Sequence, residues 1–415
     1  MMDYALLNDV RHWMMEKALP FWSTHGPDCA HGGFIEELSF DGLDAKASFK
    51  RTRVTCRQIY VFSHAKQLGW SGADDLIEHG VAYLTERAWM SDDHGFARTL
   101  TRQSHVLDPT PDLYDHAFAV FAFAWAYRAT GKSGYRQWLY KVFDFIQSKF
   151  QVSDAPGFWH HLPPTGFRQQ NPHMHLLEAC LIAFEATGDE RYRECCAKIV
   201  ALFEDHFFDL RTGALGEYFS KDLSVPAADE GQIVEPGHQF EWVWLLHQAS
   251  KLMDRQFVDP MRALFASAEE RGIGGHGGVL NKMKRRGEIL DGGSRCWPNT
   301  ERLKGAIALA EIGDQHAYKT IDQTTRMLMT RYISGLSEVS IPAGAWNDAI
   351  DKHGRATSST IPASTFYHIF LAFAELMRLA GALPSVETKF LSGAGLKASE
   401  RAKENPVTQK NNAPA

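Results

Sequence analysis

Six apolar helical segments recur at nearly even intervals along the 415 residues, and this repeat constrains the fold more than any other feature. Each segment begins with polar, often ionisable residues and continues as a helix that is apolar on most sides. One polar marker in each segment gives successive spacings of 59, 59, 63, 63 and 67 residues. The markers are Arg57, His116, His175, His238, Glu301 and His368. Such regular self-similarity indicates a fold built from repeated supersecondary units.

Helices of a second kind lie between these segments. They carry more charge, place apolar residues at helical spacing, and begin near Ala73, Ser133, Asp189, Asp259 and Gln315. Helices with one apolar face pack on a core and leave the other side exposed. The alternation therefore predicts an all-α fold, an (α/α)6 barrel of six inner and six outer helices. Every second helix of such a ring runs the same way, so we expect the six inner N-termini at one end.

Glycine- and aromatic-containing loops separate the units, at residues 31–34, 94–100, 156–162, 213–219, 274–280 and 343–354. We expect turns or hairpins at these positions. Their rings either rim the mouth of a central cavity or only pin each loop to the barrel. The rings concerned are Phe34, Phe96, Trp159, Tyr218 and Trp346.

Composition and length limit the remaining possibilities. We expect residues 1–383 to form a single catalytic barrel domain and the polar residues 384–415 to form a disordered tail. The net charge of −6 predicts no nucleic-acid partner, and the lack of an 18-residue apolar run predicts no membrane span. Six cysteines without a CxxC pair, behind an N-terminus unlike a signal peptide, favour a cytoplasmic protein with reduced thiols. A monomer or homodimer is expected.

The marker residues favour proton transfer on a sugar carbon. A histidine base that removes the proton beside a sugar carbonyl leaves a negative enediolate, which helix N-termini and an arginine would stabilise. His175 and Glu178 are three residues apart, as are His238 and Glu241, so each pair shares a helix face and the glutamate can fix the histidine tautomer. Such a reaction needs no cofactor, and the sequence has no nucleotide-binding loop.

Two other classes of function stay open on the residues alone. An α/α-barrel glycoside hydrolase would use two carboxylates, for which Asp115, Glu178, Glu241 and Glu301 are candidates. A barrel that only binds sugar or protein would need no catalytic pair. Facing histidines could chelate zinc, but no HExxH or CxxC signature is present, so no metal is expected.

Five stretches in order along the chain resemble the N-acylglucosamine 2-epimerase superfamily of sugar epimerases and isomerases. They are RVTCRQIYVF (53–62), NPHMHLLEA (171–179), EPGHQFEWVWLL (235–246), WPNTERLKG (297–305) and PASTFYHIFLAFAEL (362–376). The resemblance spans about residues 10 to 380 and implies the same (α/α)6 barrel. It also implies an enzyme of carbohydrate metabolism that works without a metal ion.

Position by position, the resemblance implies that His238 and His368 are the two catalytic acid–base histidines. Glu241 would orient His238, and Arg57 would hold the substrate oxygen at C1 or C2. The substrate-binding residues that it implies are Arg57, Tyr114, His116, His175, Glu241, Trp297 and Glu301.

Length and motif context resemble the bacterial D-mannose isomerases more than the N-acyl epimerases. The favoured interpretation is therefore an isomerase that interconverts D-mannose and D-fructose, an unphosphorylated aldose and ketose, through a cis-enediolate. The alternative is a 2-epimerase of N-acylglucosamine, N-acylmannosamine or a free hexose. Both reactions use two histidines, so the motifs do not separate them.

Overall fold

The computed structural model describes residues 3–334 and 340–382, and within them thirteen α-helices follow one another along the chain. They are α1 (Tyr4–His12), α2 (Leu19–His25), α3 (Thr52–Gln67), α4 (Asp74–Tyr83), α5 (Leu113–Thr130), α6 (Ser133–Phe145), α7 (Gln170–Thr187), α8 (Glu190–Leu202), α9 (Pro236–Met253), α10 (Val258–Arg271), α11 (Cys296–Glu311), α12 (Ala317–Met327) and α13 (Phe366–Leu379). A wider π-helical stretch joins α1 to α2 and extends α4, α6, α8 and α12.

The helices form two concentric rings, which confirms the predicted (α/α)6 barrel. The inner helices α3, α5, α7, α9, α11 and α13 each contact the next, and α13 returns to α3 to close the ring. Outside them, α4, α6, α8, α10 and α12 pack on the inner helix that precedes each, and α1 packs on α13. Most buried apolar side chains form one continuous core between the rings, and Ala214, Val234 and Met283 form a small separate cluster.

Helix α5 illustrates why the inner ring is buried on most sides. Its residues 117–126 alternate alanine with valine and aromatic residues, and all of them are buried. Asp112 begins the helix as an N-cap, because its Oδ1 accepts hydrogen bonds from the N–H groups of Tyr114 (2.9 Å) and Asp115 (3.3 Å). Gly131 ends it in the left-handed conformation, with φ 69°. Local chemistry thus fixes both ends of a helix whose middle is all core.

Short antiparallel ladders connect neighbouring units at the end where the inner helices begin. Strands that lie just before an inner helix pair with a strand of a neighbouring unit. These ladders are Phe49–Arg51 with Thr99–Thr101, which also pairs with Val106–Asp108; Arg168–Gln169 with Tyr218–Phe219; Ile233–Val234 with Lys282–Lys284, which also pairs with Ile289–Asp291; Ser294–Arg295 with Ala349–Ile350; and Glu37–Leu38 with Ile361–Pro362. The last joins the first unit to the final one, so the ladder series closes with the barrel.

The glycine–aromatic loops include two hairpins, formed by Trp89–Ser91 with Gly95–Phe96 and by Phe208–Asp209 with Ala214–Leu215. Three of the five aromatic side chains in these loops do not line the mouth of the central cavity. Phe34, Phe96 and Trp346 are buried in the core, so these rings pin their loops to the barrel.

A polar side chain in the first turn of several inner helices holds the adjacent loop. Nε2 of His116 accepts a hydrogen bond from the N–H of Phe96 (3.0 Å), and its Nδ1 donates to a carbonyl four residues earlier (2.7 Å). His173 repeats both contacts, accepting from the N–H of Phe158 (2.9 Å) and donating to the carbonyl four residues before it (2.8 Å). Asn299 makes the equivalent pair of bonds in α11. The fourth helical residue is therefore a structural position in this repeat.

No helix among the described residues is long and apolar enough to cross a membrane. The predicted tail, residues 384–415, lies outside the residues that the structure describes.

Replacing Gly95 with alanine should destabilise the barrel more than the same change at Gly131. Both glycines have positive φ, 63° and 69°, but a Cβ at Gly95 would lie 2.3 Å from Nε2 of His116, whereas nothing lies within 4 Å at Gly131. We expect a cost of about 3 kcal/mol for G95A, from backbone strain plus a broken buried hydrogen bond, and about 1 kcal/mol for G131A. Thermal and urea unfolding measure both variants, and equal losses would contradict the loop-holding role of His116.

Candidate functional site

A cavity of about 430 Å³ opens at the end of the barrel where the inner helices begin. Seven of the nine site residues predicted from the sequence line it. They are Arg57, Tyr114, His175, His238, Glu241, Trp297 and His368. The convergence follows from the ring geometry, because each of these residues lies within the first two turns of an inner helix.

His238 is held by a carboxylate that sequence reasoning did not identify. Its Nδ1 lies 3.0 Å from Oε1 of Glu217, a residue of the loop at 213–219, and Gln170 Nε2 lies 3.0 Å from the other oxygen of Glu217. Burial alone would lower the pKa of His238, but the negative charges of Glu217 and Glu235 outweigh it and raise that pKa to about 9. His238 is therefore protonated at neutral pH.

His368 has the same hydrogen-bond pattern and the opposite charge state. Its Nδ1 donates to Oε1 of Glu301 at 2.8 Å, a contact that was not predicted from the sequence. Burial, followed by the positive charges of Arg57 and Lys304, lowers the pKa of His368 well below its usual value. His368 is neutral at neutral pH, with Nε2 as the nitrogen available to a bound molecule.

Trp297 lies between the two histidines. Its ring centroid is 5.1 Å from that of His238 and 5.4 Å from that of His368. A planar indole beside two histidines gives a sugar ring or an open chain an apolar surface to rest on. A protonated and a neutral histidine at one cavity can give and take a proton in the same reaction.

Arg57 supplies a positive charge close to these groups. Its guanidinium donates to the Tyr114 hydroxyl (2.7 Å) and to the Ser364 carbonyl (3.2 Å), and it stacks over Phe118 at 4.4 Å from the ring centroid. Only 6% of Arg57 is exposed. A buried, oriented arginine of this kind stabilises negative charge on a substrate oxygen more than an exposed one does.

His175 belongs to a second network in the same wall. Its Nδ1 lies 3.1 Å from Oε2 of Glu178, and Tyr367 donates its hydroxyl to that carboxylate at 2.6 Å. Burial lowers the pKa of His175 to about 4, although Glu178 opposes the shift. The ring is thus neutral, and its edge contact with Tyr114 (4.8 Å between centroids) fixes its orientation.

Glu241 does not orient His238 as the sequence suggested. It is buried, and neither of its oxygens has a hydrogen-bond partner among the described residues. Its Oε1 lies 4.0 Å from Nδ1 of His175. Burial and the adjacent charge of Glu301 raise the pKa of Glu241 well above its ordinary value. The role assigned to Glu241 from its i, i+3 spacing is carried by Glu217.

Within residues 3–334 and 340–382, two groups of side chains are close enough to offer ligands to a metal ion, and Glu241 belongs to both. His175, Glu178 and Glu241 form one group, and Glu241, Glu301 and His368 form the other, with donor atoms within 4.8 Å of one another. In each group the histidine Nδ1 already bonds to a glutamate of the same group. An ion there would have to replace those hydrogen bonds.

His116 does not reach the cavity. It is fully buried, and both ring nitrogens are used by backbone groups, as described above. Its true counterpart in α7 is His173, and the counterpart of His175 is Phe118, which contacts both His175 (4.7 Å between centroids) and Arg57. Two residues apart on a helix, His116 and Phe118 point in directions that differ by about 200°. The even spacing therefore selected the wrong residue of α5.

Three further residues of the site escaped sequence reasoning. Asn171 lines the cavity with its side-chain oxygen unpartnered among the described residues. Lys304 lies behind Glu301 with its Nζ 2.7 Å from Oε2. Glu217 is on a loop outside the helical repeat, where no periodicity marks it. Only Lys304 carried a signal in the sequence, as a charge in the middle of an apolar helix.

Comparison with known proteins places this site in a family. Residues 33–372 match the family model described as N-acylglucosamine 2-epimerase. The chain is 31% identical to a mannose-6-phosphate isomerase of Rhizobium meliloti over 88% of this chain and 95% of the relative. It is 22% identical to a cellobiose 2-epimerase of Bacteroides fragilis over 76% and 85% of the two chains. A solved D-mannose isomerase superposes with a TM-score of 0.80 at 20% identity, covering 91% of this chain and 98% of the other. The resemblance seen in the sequence is confirmed: the chain belongs to the N-acylglucosamine 2-epimerase family and is a sugar isomerase or epimerase.

Proposed function

We propose that the protein is an aldose–ketose isomerase that interconverts D-mannose and D-fructose. The observation that carries this proposal is the pair of cavity histidines in opposite charge states, each with Nδ1 on a carboxylate. The isomerase relatives support the choice of reaction, since the mannose-6-phosphate isomerase is 31% identical and a D-mannose isomerase of Thermobifida fusca is 29% identical.

In the proposed reaction, neutral His368 acts as the base. Its Nε2 removes the proton from C2 of the open-chain aldose, and the negative charge moves to the carbonyl oxygen O1, beside Arg57. Protonated His238 gives its Nε2 proton to O1 and takes one from O2, so that the carbonyl forms at C2. His368 then returns its proton to C1. One proton has moved between carbons and one between oxygens, with no net change in the enzyme.

A 2-epimerase is the second candidate, because the cellobiose 2-epimerase relatives belong to the same family. The same charge states would serve it: His368 would remove the proton from one face of C2, and His238 would return one to the opposite face. The two reactions differ in the product, a ketose or the 2-epimeric aldose.

Replacing either cavity histidine with alanine should abolish turnover without unfolding the protein. General acid–base catalysis contributes about 10²- to 10⁴-fold, so we expect H238A and H368A to lose at least that much in kcat. His247 provides a matched control, because it also bonds to a glutamate (Glu311, 2.7 Å) but lies in the second half of α9, outside the cavity lining. H247A should keep near-normal turnover. Near-wild-type activity of both cavity variants would refute the acid–base roles.

Incubation with D-mannose in D2O tests the reaction itself. After treatment with a chelator, we expect fructose that carries deuterium at C1, because a histidine-bound proton exchanges with solvent before it returns. NMR follows the product and the loss of C2–H together. D-glucose from D-mannose would establish the epimerase instead. Neither product nor exchange with D-mannose, D-glucose or N-acetylmannosamine would refute both.

Replacing Glu217 with glutamine should move the alkaline limb of the pH profile of kcat to lower pH. His238 acts in its protonated form, which is present below its pKa of about 9. Loss of the Glu217 carboxylate lowers that pKa, by about one to three units on general grounds, so the protonated form is lost at lower pH. E235Q should shift the limb less, because Glu235 acts on His238 through its charge alone, whereas Glu217 also accepts its hydrogen bond. An unmoved limb in E217Q would contradict the pairing.

A further inference from the structure

Lys304 is a fully buried ammonium directly behind the cavity. It lies on α11, one turn after Glu301, with no exposed surface. Its Nζ is 2.7 Å from Oε2 of Glu301 and 4.4 Å from the ring centroid of Trp244. Lysine is rarely buried in this way without a charged partner. The residue does not line the cavity, so it would act through Glu301 and not on a substrate.

Glu301 is one of three buried carboxyl groups in a row. A carboxyl oxygen of Glu241 lies within 4.8 Å of one of Glu178 on one side and of one of Glu301 on the other. Three negative charges this close in a buried site repel one another strongly, and at least one group gains by holding a proton. The position of the Lys304 ammonium then decides which of the three carboxyl groups stays ionised.

The contacts of the three groups are unequal. Glu301 has Lys304 on one oxygen and His368 on the other, and Glu178 accepts from His175 and Tyr367. Glu241 has no hydrogen-bond partner among the described residues. The proton is therefore best placed on Glu241, and the negative charge on Glu301.

We propose that Lys304 is a positioning residue that keeps Glu301 ionised as the acceptor of the His368 Nδ1–H, and so keeps Nε2 of His368 free as the base. The proposal rests on the proposed function of His368. Without the ammonium, Glu301 would take up a proton at higher pH and could donate to Nδ1. His368 would then carry its own proton on Nε2, where it faces the substrate and cannot act as a base.

The pKa values agree with this arrangement. Burial raises the pKa of Glu301 to about 7 even though Lys304 pulls it down. Burial would lower the pKa of Lys304, but the surrounding carboxylates raise it, so the ammonium stays charged over the working range. The charged and titratable groups that face Glu301 are Arg57 from α3, Glu178 from α7, His238 and Glu241 from α9, Lys304 from α11, and Tyr367 and His368 from α13.

The test compares K304M, which removes the charge, with K304R, which keeps it. The Lys304 ammonium lies 2.7 Å from Oε2 of Glu301, so its removal should raise the pKa of Glu301 by about one to three units. The acid limb of kcat should move to higher pH by that amount in K304M, with turnover down about 10- to 100-fold at pH 7 and recovered at alkaline pH. K304R should keep the wild-type limb. K251M is the matched control, because Lys251 pairs with Glu311 (3.5 Å) at the far end of α9.

Two outcomes would overturn the proposal: an unmoved acid limb in K304M, or an equal loss at every pH that arginine does not rescue. If K304M does not fold, the change is repeated in an E301Q background, which removes both members of the ion pair. A residue that acts only through Glu301 should add no further loss of kcat there, and an additive loss would refute the proposal.

A readout that needs no substrate separates this proposal from the proposed function. Nitrogen NMR of ring-labelled histidine reports which nitrogen of His368 carries the proton. We expect Nδ1–H in the wild type and in K304R at pH 8, above the pKa of Glu301, and a change in K304M. That result would support the role of Lys304 even if no sugar were turned over, whereas the same tautomer in all three proteins would refute it even in an active isomerase.

Discussion

The hydrogen bond from Nδ1 of each cavity histidine to a buried carboxylate is the interaction on which the rest of the site depends. It fixes the tautomer and leaves Nε2 as the reactive nitrogen in both His238 and His368. The charge states then differ because the surroundings differ. The carboxylates of Glu217 and Glu235 act on His238, whereas the cations Arg57 and Lys304 act on His368. Two chemically identical side chains thus take opposite charge states through their neighbours alone, as the proposed acid and base require.

The barrel could be predicted from the sequence because its signals are local and repeated. Helix α5 shows them together: an aspartate cap, ten consecutive buried positions and a left-handed glycine at the end. The same alternation of buried and half-exposed helices returns six times, and few other folds satisfy it. The ladders that connect the units were not predicted, since strands of two or three residues such as Arg168–Gln169 have no period to detect.

The site was predicted less completely than the fold, for two physical reasons. Even spacing identifies the correct helix and turn but not the correct face. An error of two residues selected His116, which holds a loop, in place of Phe118, which contacts Arg57 and His175. Proximity in sequence also misled the assignment of Glu241 to His238. The carboxylate that bonds His238 comes from 21 residues earlier, on a loop that the fold brings alongside α9. Such a contact depends on how the chain folds and leaves no signal in the local sequence.

The arrangement of carboxyl groups also separates the proposed chemistry from glycoside hydrolysis, which an α/α barrel could equally host. A hydrolase needs two carboxyls free to act on either side of the bond that breaks. Here Glu217 and Glu301 are bonded to histidines, and Glu178 is bonded to His175 and Tyr367. Glu241, the carboxyl without a hydrogen-bond partner among the described residues, has a raised pKa and could serve as an acid, but each carboxylate near it is already engaged. The other two carboxyls that line the cavity are engaged as well, Glu235 with Lys282 and Arg295 and Asp348 with Thr365. The proposed reaction therefore assigns the movement of protons to the histidines.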